Sequence, residues 1–241
     1  MMISSLNGVY FNTMQDINYN EYFKRQIELW GEDTQNQLQS KKIAIIGCGG
    51  LGCSLGISLG ASGIGKIDLV DFDEVSIHNI HRQIGFKLGD EGKAKADILK
   101  ELLESRCSFV EVNSYCTDFE TFIKDNNIKY DLIIDATDNL EVRVKINSYA
   151  KQTSTPWVYG SVEEFHGQVC FFEESSFEDV FNIGDHTPKG IAAPIVLNIA
   201  SFQANLALRY LAGLSVKKDI LYYCFFNNDG EYTMQKFGLP I

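Results

Sequence analysis

Two cysteines separated by two residues, the usual spacing of a structural zinc site, occur nowhere in this sequence. The six cysteines are scattered along 241 residues, which favours reduced thiols. Basic side chains are few as well, since 21 Lys and Arg stand against 32 Asp and Glu and give a formal net charge of −11. Nucleic acids and anionic membranes bind clustered positive charge, so neither is expected as a partner.

A long uninterrupted apolar run is also missing. The longest apolar stretch, residues 191–211, predicts a buried helix rather than a membrane span because four polar residues interrupt it: Asn198, Gln203, Asn205 and Arg209. Residues 1–16 contain neither a basic start nor an apolar run of signal-peptide length, so we expect a cytoplasmic protein. With 45% apolar residues, the chain can bury a sizeable core in one domain with additions.

Strand and helix patterns alternate along the first two thirds of the chain. Four short apolar runs have the composition of strands: residues 42–46, 66–70, 109–115 and 130–135. Apolar residues recur at intervals of three and four in the segments that predict helices: residues 51–59, 93–107 and 140–151. The alternation predicts an α/β fold, a doubly wound, Rossmann-like and mainly parallel sheet with helices on both faces.

The pattern changes after Pro156. Strands are predicted over residues 157–161 and 167–173, and a hairpin over 221–226 and 232–237 with its turn at residues 227–230. We expect these strands to form an antiparallel C-terminal extension. Its aromatic residues fit either an ordinary core or a face that docks a small partner, and core is favoured. Residues 173–189 are the best candidate for a mobile loop.

A glycine-rich turn follows the first predicted strand. Its glycines are Gly47, Gly49, Gly50 and Gly52, and a predicted helix begins near Gly50. In this context, backbone N–H groups and the positive end of the helix dipole can bind a phosphate. Asp71 ends the second predicted strand, where a carboxylate can accept hydrogen bonds from ribose hydroxyls. These residues predict a bound nucleotide without identifying it, and the alternative is a turn that serves packing alone.

Two cations and one carboxylate help to distinguish between the reactions that a bound nucleotide could undergo. Arg82 and Lys95 are not needed for hydride transfer, but a reaction at the α-phosphate of ATP needs positive charge as the pentavalent centre forms. Asp138 follows the fourth predicted strand at the carboxyl edge of the sheet, where it could hold magnesium. The alternatives are that Asp138 caps the next helix together with Glu141, and that the two cations are plain surface charges.

Four further side chains near the turn have weaker claims to chemistry. Cys48 and Cys53 lie in or beside the turn, where small residues fit, so packing is favoured over reactivity. His78 and His81 are three residues apart in a predicted loop, but no third metal ligand lies nearby in the sequence. Metal binding by these histidines is therefore not favoured.

Several spaced segments together resemble the ThiF/MoeB/HesA adenylyltransferases, which are relatives of the ubiquitin-activating enzymes. In chain order they are Arg25-Gln26, the glycine turn, Asp71-Phe72-Asp73, and residues 79–83, 92–95, 135–139 and 190–194. The likeness extends from about residue 19 to residue 213. It implies a single domain over residues 1–241, with a nucleotide-binding core over 19–155 and a carrier-docking and dimer-forming extension over 156–241.

The resemblance also implies a reaction. Members of this family bind ATP and magnesium and adenylate the C-terminal glycine carboxylate of a ubiquitin-like sulfur-carrier protein ending in Gly-Gly, with release of pyrophosphate, in thiamine or molybdopterin biosynthesis. By motif, Asp71 would hold the ribose, Asp138 would place the magnesium, and the phosphates would be surrounded by Asp73, Asn79, Arg82 and Lys95. Gln83 would also belong to the nucleotide-binding residues. Arg25 resembles an arginine that reaches into the neighbouring subunit's site, so a homodimer is expected.

Two features of the family are missing here. Bacterial members commonly carry two Cys-x-x-Cys pairs for zinc, and since neither is present, zinc is not expected. ThiF-type members have a cysteine shortly before the Gly-x-x-(Ala/Gly)-Pro segment, and His186 stands near that place. A histidine cannot form a persulfide or an acyl disulfide. We therefore expect the enzyme to stop at adenylation, with sulfur supplied by another protein.

Two other functions stay open. The first is activation of a small-molecule or tRNA-linked carboxylate, although the net charge of −11 disfavours tRNA. The second is a catalytically silent or NAD-binding partner subunit. A silent scaffold would have no physical need for the full set of charged and polar residues that this chain retains: Arg25, Asn79, Arg82, Lys95 and Asp138.

Overall fold

Eight strands form one sheet in the computed structural model, which describes residues 17–126, 128–181 and 189–241. The strands are β1 (Lys42–Ile46), β2 (Lys66–Val70), β3 (Glu111–Tyr115), β4 (Leu132–Asp135), β5 (Trp157–Glu163), β6 (His166–Phe172), β7 (Ile220–Phe226) and β8 (Tyr232–Gly238). Their order is β3-β2-β1-β4-β5-β6-β7-β8. Strands β1 to β5 pair in parallel and β5 to β8 pair antiparallel, which confirms the predicted fold.

Helices cover both faces of the parallel half of the sheet. They are α1 (Tyr19–Tyr22), α2 (Lys24–Trp30), α3 (Glu32–Leu38), α4 (Gly50–Gly60), α5 (Lys95–Arg106), α6 (Phe119–Asp125), α7 (Leu140–Thr153), α8 (Phe177–Val180) and α9 (Ala193–Leu211). Helices α4, α5 and α9 pack on one face, and α6, α7 and α8 on the other. In the described ranges, no helix combines the length and apolar character of a bilayer span.

The central strand β1 explains how the two cores form. Ile43 and Ile45 point into the core beside α4, whereas Ala44 and Ile46 point into the core beside α7. All four residues are buried, because a parallel strand covered on both faces needs apolar side chains at every position. The sequence of β1 therefore shows a continuous apolar run rather than an alternating one.

The carboxyl ends of three parallel strands meet at one edge of the sheet. Ile46 of β1 pairs with Val70 of β2 on one side and with Asp135 of β4 on the other. The chain leaves β1 towards β2 in one direction and reaches β4 in the other, so the strand order reverses here. Ligands of such sheets bind at this switch point, which places the loops after β1, β2 and β4 around a common crevice.

The C-terminal hairpin forms where the sequence predicts it. Strands β7 and β8 pair antiparallel from Ile220 and Gly238 to Phe226 and Tyr232. The side chain of Asn227 accepts hydrogen bonds from the backbone N–H groups of Asp229 and Glu231, at 3.0 and 2.8 Å, and so closes the turn.

One sequence prediction was partly wrong. Residues 173–189 were expected to form a mobile loop, but the segment contains α8, whose Phe177 is fully buried against Trp157 and Phe172. Residues 182–188, which include His186, lie outside the described residues. The aromatic residues of the extension divide between two environments: Trp157, Tyr159, Phe171 and Phe172 are buried, and Phe165 and Phe226 are exposed.

Candidate functional site

The glycine turn, residues 47–52, is a tight structure that only glycine permits at two positions. Gly47 has a φ of +95°, and a Cβ on it would lie 2.7 Å from the carbonyl oxygen of Ala136. A Cβ on Gly52 would overlap the carbonyl oxygen of Gly47. The turn therefore folds back on the start of α4 and lies directly against the loop after β4.

Helix α4 presents a bare N-terminus to the crevice. In the described part of the chain, no side chain caps this 11-residue helix, whose N-cap residue is Gly49. The N–H groups of a first helical turn have no acceptor within the helix, and the dipole adds partial positive charge there. N–H groups in this position can bind an anion at the carboxyl edge of the sheet.

Asp71 connects the glycine turn to the loop after β2. One oxygen of its carboxylate accepts a hydrogen bond from the Cys48 N–H at 2.6 Å, and the other accepts from the Asp73 N–H at 2.7 Å. Burial raises the pKa of Asp71, and the two backbone N–H groups act in the opposite direction. Each oxygen keeps a second lone pair, so the carboxylate can still accept from a ligand hydroxyl.

Lys95 reaches the same crevice from the first residue of α5. Its Nζ lies 2.7 Å from Oδ2 of Asp73, and its side chain is 6% exposed while that of Asp73 is 52% exposed. A cation at a helix N-terminus opposes the helix dipole, so the Asp73 carboxylate stabilises it there. The ammonium charge is close enough to Asp71 to lower the pKa of that carboxyl.

Arg82 lies beside the turn, and polar groups of its own segment hold its guanidinium. The Arg82 carbonyl oxygen would be 3.4 Å from a Cβ on Gly50, which places the segment alongside the start of α4. Its Nη2 donates to Oδ1 of Asn79 at 3.1 Å, and its Nη1 lies 2.8 Å from Nε2 of His81. The side chain of Asn79 is buried, so the guanidinium is anchored on the protein side.

Gln83 brings an unused acceptor to the turn. Its side chain is 4% exposed, and its Nε2 would be 3.4 Å from a Cβ on Gly49. Within the described residues, Oε1 of Gln83 has no hydrogen-bond partner. A buried amide oxygen without a partner is costly, so a ligand or a water that donates a hydrogen bond would stabilise it.

Asp138 follows β4 but does not cap α7, because its neighbour Asn139 is the cap residue of that helix. The Oδ1 atom of Asn139 accepts from the N–H groups of Glu141 and Val142, at 2.8 and 3.1 Å. The capping alternative for Asp138 is therefore wrong. Asp138 is exposed, and it forms no hydrogen bond or ion pair with the residues that the structure describes. Its carboxylate is available to a cation at the edge of the crevice.

The sequence interpretation missed a buried ion pair below this loop. Nε of Arg143 lies 3.0 Å from Oδ2 of Asp135, and the other oxygen of Asp135 accepts from the N–H and hydroxyl of Thr137. Nη2 of Arg143 donates to the carbonyl oxygens of Thr137 and Gly160, at 2.5 and 3.1 Å. The local sequence does not indicate this pair, because an arginine one helical turn after a cap is usually exposed.

Arg25 does not reach the crevice of its own chain. It lies on α2 with 90% of its side chain exposed, and its Nη1 is 2.8 Å from Oε2 of Glu28. The other predicted site residues of the nucleotide loops come together at the carboxyl edge: the four glycines, Asp71, Asp73, Asn79, Arg82, Gln83 and Lys95. Asp138 follows the adjacent strand at that edge.

The two cysteines of the turn are packing residues. Both are fully buried, and burial raises the pKa of the Cys53 thiol to about 12 and that of Cys48 well above its ordinary value. Such thiols carry almost no thiolate at neutral pH. Across residues 17–126, 128–181 and 189–241, no group of three His, Cys, Asp or Glu side chains is placed to hold a metal ion.

Comparisons with known proteins identify the family of this chain. The model of the ThiF family matches residues 23–238. The adenylyltransferase and sulfurtransferase MOCS3 of Dictyostelium discoideum is 33% identical over 192 residues, which cover 75% of this chain and 45% of the relative. The molybdopterin-synthase adenylyltransferase of Escherichia coli K12 is 30% identical over 205 residues, which cover 79% of this chain and 82% of the relative.

Structural similarity extends further along the chain. A structure of E. coli MccB solved with ATP has a TM-score of 0.78 at 20% identity, and the match covers 97% of this chain and 74% of that one. At this identity, the likeness shows a shared fold. The chain spans about half the length of several of the curated relatives it matches, between 45% and 51% for five that are named MOCS3 or MoeZ.

Proposed function

Because this chain belongs to the ThiF family, we propose that it is an ATP-dependent adenylyltransferase that activates the C-terminal carboxylate of a small sulfur-carrier protein. The observation that carries the proposal is the bare N-terminus of α4, which lies beside two cations, Lys95 and Arg82, at one edge of the sheet. A purely structural glycine turn would not need both cations. The names of the relatives, which join adenylyltransferase with sulfurtransferase or molybdopterin synthase, support the same substrate class.

ATP binds with its phosphates on the glycine turn and the first N–H groups of α4. The glycines at 47, 49, 50 and 52 keep side chains away from this surface, so the backbone can approach the phosphate oxygens. Asp71 accepts hydrogen bonds from the ribose hydroxyls with its remaining lone pairs. Oε1 of Gln83 is the acceptor for one further donor of the bound nucleotide or its water.

Charge neutralisation provides most of the catalysis. A carboxylate oxygen of the carrier attacks the α-phosphorus, the bond to the β-phosphate oxygen breaks, and pyrophosphate leaves with the electron pair. The nucleophile is already ionised, so no general base is needed and positioning suffices. Lys95 and Arg82 stabilise the negative charge on the pentavalent centre, and Asp73 and Asn79 hold these two cations in place.

Magnesium fits the edge of this site. Asp138 offers an exposed carboxylate that forms no hydrogen bond or ion pair with a described residue, and magnesium is usually held by one or two carboxylates together with substrate phosphates. Asp138 would hold the ion, which would supply further positive charge to the phosphates. Zinc is not part of the proposal.

A homodimer would complete the site. Arg25 is exposed, and its one partner in the described chain is Glu28 on the same helix, so it is free to act on the site of a second subunit. Residues 19–155 form the nucleotide-binding core in this proposal, and residues 156–241 provide the surfaces for the carrier and the second subunit. With His186 in place of a cysteine, the reaction ends at the acyl adenylate, and both thiamine and molybdopterin assembly stay open.

The direct test is ATP–pyrophosphate exchange with purified protein and candidate carriers ending in Gly-Gly. We expect exchange with one carrier and none with the same carrier after its last glycine is deleted. Exchange with small carboxylates and with none of the carriers would show that the substrate is a small molecule rather than a carrier protein. Binding of ATP without any exchange would point to a silent partner subunit, and absence of ATP binding would refute the proposal.

A further inference from the structure

We propose that His81 is a positioning residue which, in its neutral form, holds the Arg82 guanidinium beside the glycine turn and makes the use of ATP dependent on pH. This inference rests on the proposed function, because it concerns the orientation of a cation at the nucleotide site.

The contact itself defines the protonation state of the imidazole. Nε2 of His81 lies 2.8 Å from Nη1 of Arg82. A guanidinium has five N–H donors, no acceptor and a permanent charge, so the histidine nitrogen must be the acceptor. His81 is therefore neutral in this arrangement and carries its ring proton on Nδ1.

The same arrangement leaves part of the guanidinium free for a ligand. Nη1 of Arg82 also donates to the backbone carbonyl of His78 at 3.4 Å, and Nη2 donates to Oδ1 of Asn79 at 3.1 Å. Three of the five N–H groups are thus directed at the protein segment. The Nε–H group and the second Nη2–H group stay available to donate to phosphate oxygens.

Protonation of His81 would remove this anchor. A proton on Nε2 abolishes the acceptor and places a second positive charge 2.8 Å from the guanidinium. Among the described residues, no carboxylate forms an ion pair with His81 or Arg82 that could offset it. Arg82 would then turn away from the position that it takes in the neutral state.

The surroundings contain few other groups that titrate. The start of α9, which packs against the turn through Val196, carries no charged side chain, and the thiol of Cys48 in the turn is buried and protonated. In the preceding loop, Asp71 accepts two backbone hydrogen bonds, and Asp73 pairs with Lys95. His78 lies in the same segment and contacts Arg82 through its backbone only.

Glutamine and the neighbouring histidine provide a matched set of variants. In His81→Gln, an amide oxygen can accept from Arg82 but cannot be protonated. In His78→Gln, the backbone contact to Arg82 and the His81 imidazole are both kept. The experiment measures kcat/KM for ATP in pyrophosphate exchange from about pH 8 to about pH 5, the range in which imidazoles titrate.

We expect kcat/KM of the unmodified protein and of His78→Gln to decrease as the pH is lowered. At the acid end the decrease should approach about tenfold per pH unit, because a single proton inactivates the site. The profile of His81→Gln should lose that fall, whatever its level at pH 8. Parallel profiles for His81→Gln and the unmodified protein would overturn the inference, and so would loss of the pH dependence in His78→Gln.

A second readout separates this inference from the proposed function. The chain has four histidines, so the ring nitrogens can be resolved by nitrogen-15 NMR, with His81 assigned from the His81→Gln variant. At pH 8 we expect the Nδ1–H form of His81, which should revert towards the usual mixture in Arg82→Gln. A His81 ring that carries its proton on Nε2 would overturn the inference, even if the enzyme exchanged pyrophosphate with none of the carriers.

Discussion

Arg143 and Asp135 form an ion pair at the floor of the candidate site, with Nε and Oδ2 3.0 Å apart and both side chains almost completely buried. The pair lies where β4 passes into α7, and its remaining hydrogen bonds go to Thr137 and Gly160. It therefore connects β4, the loop that carries Asp138, and β5. A charged group this deeply buried must be paired, because an uncompensated charge in the interior costs several kcal/mol.

Arg143→Met is expected to destabilise the protein by about 3–5 kcal/mol, since it leaves the Asp135 carboxylate buried without its cation. Urea unfolding would measure the loss. The double variant Asp135→Asn with Arg143→Met removes both charges and should lose less stability than the sum of the two single variants. Additive losses would mean that the two side chains act independently.

Lys95→Ala should reduce pyrophosphate exchange by about 10²–10³, the usual effect of removing one donor that stabilises the transition state. The fold should survive, because the partner Asp73 is half exposed and stays solvated. Lys93→Ala is the matched control, since Lys93 is exposed in the same segment and pairs with Asp90. Equal rates for the two variants would remove Lys95 from the site.

Asp138→Asn should raise the magnesium concentration needed for half-maximal exchange and change the free energy of unfolding by less than the loss of a helix cap does, because Asp138 is exposed and caps no helix. Asn139→Ala should do the reverse and cost about 1 kcal/mol of stability through loss of the cap. Magnesium titrations and urea unfolding of both variants provide the comparison. A stability loss in Asp138→Asn with a normal magnesium response would contradict the assignment.

Arg25→Ala and Lys95→Ala subunits should complement each other if Arg25 acts on the site of the second subunit. In an equal mixture, half of the dimers are mixed, and one of the two sites in each mixed dimer keeps both residues, so about a quarter of the exchange activity should return. Coexpression and rate measurement would test this. If the mixture is as inactive as its components, Arg25 does not act across a dimer.

Cys116 should be the one cysteine that reacts readily with a thiol reagent in the native protein, since the other five are buried. Burial and the nearby Asp97 carboxylate raise the pKa of the Cys116 thiol, so its thiolate fraction at pH 8 is below that of a free cysteine. Asp97→Asn lowers that pKa and should speed up labelling. Cys116→Ser should abolish the rapid phase, and a rapid phase that persists would place it on another thiol.

Local patterns were sufficient for the elements next to the site. The bounds of β1 and β2 agree with the predicted strands. Each strand begins at a lysine, β1 ends just before the glycine turn, and β2 ends just before Asp71 of the polar loop that follows. The glycine turn was also predictable, since its close contact with Ala136 and its positive φ at Gly47 restrict the residue type itself.

The positions at which β3 and β4 begin depend on contacts between residues that are far apart in the chain. Phe109 was predicted as part of the third strand, but β3 begins at Glu111, because Phe109 packs in an aromatic cluster with Tyr19, Tyr22 and Phe23. Tyr130 likewise lies outside β4, where its hydroxyl donates to the buried Asp68 at 2.6 Å. No window of neighbouring residues contains that information.

The sequence by itself determined the alternation of strands and helices around the crevice and the position of the glycine turn, because hydrophobic periodicity and glycine spacing are local properties. Tertiary structure decided which side chains hold those cations: Asp73 for Lys95, and Asn79 and His81 for Arg82. It also decided that Asn139 rather than Asp138 caps α7, and that Arg143 is buried against Asp135. Hydrogen-bond partners are selected by distance and burial in the folded chain, and residues that are distant or interchangeable in the sequence become distinct only there.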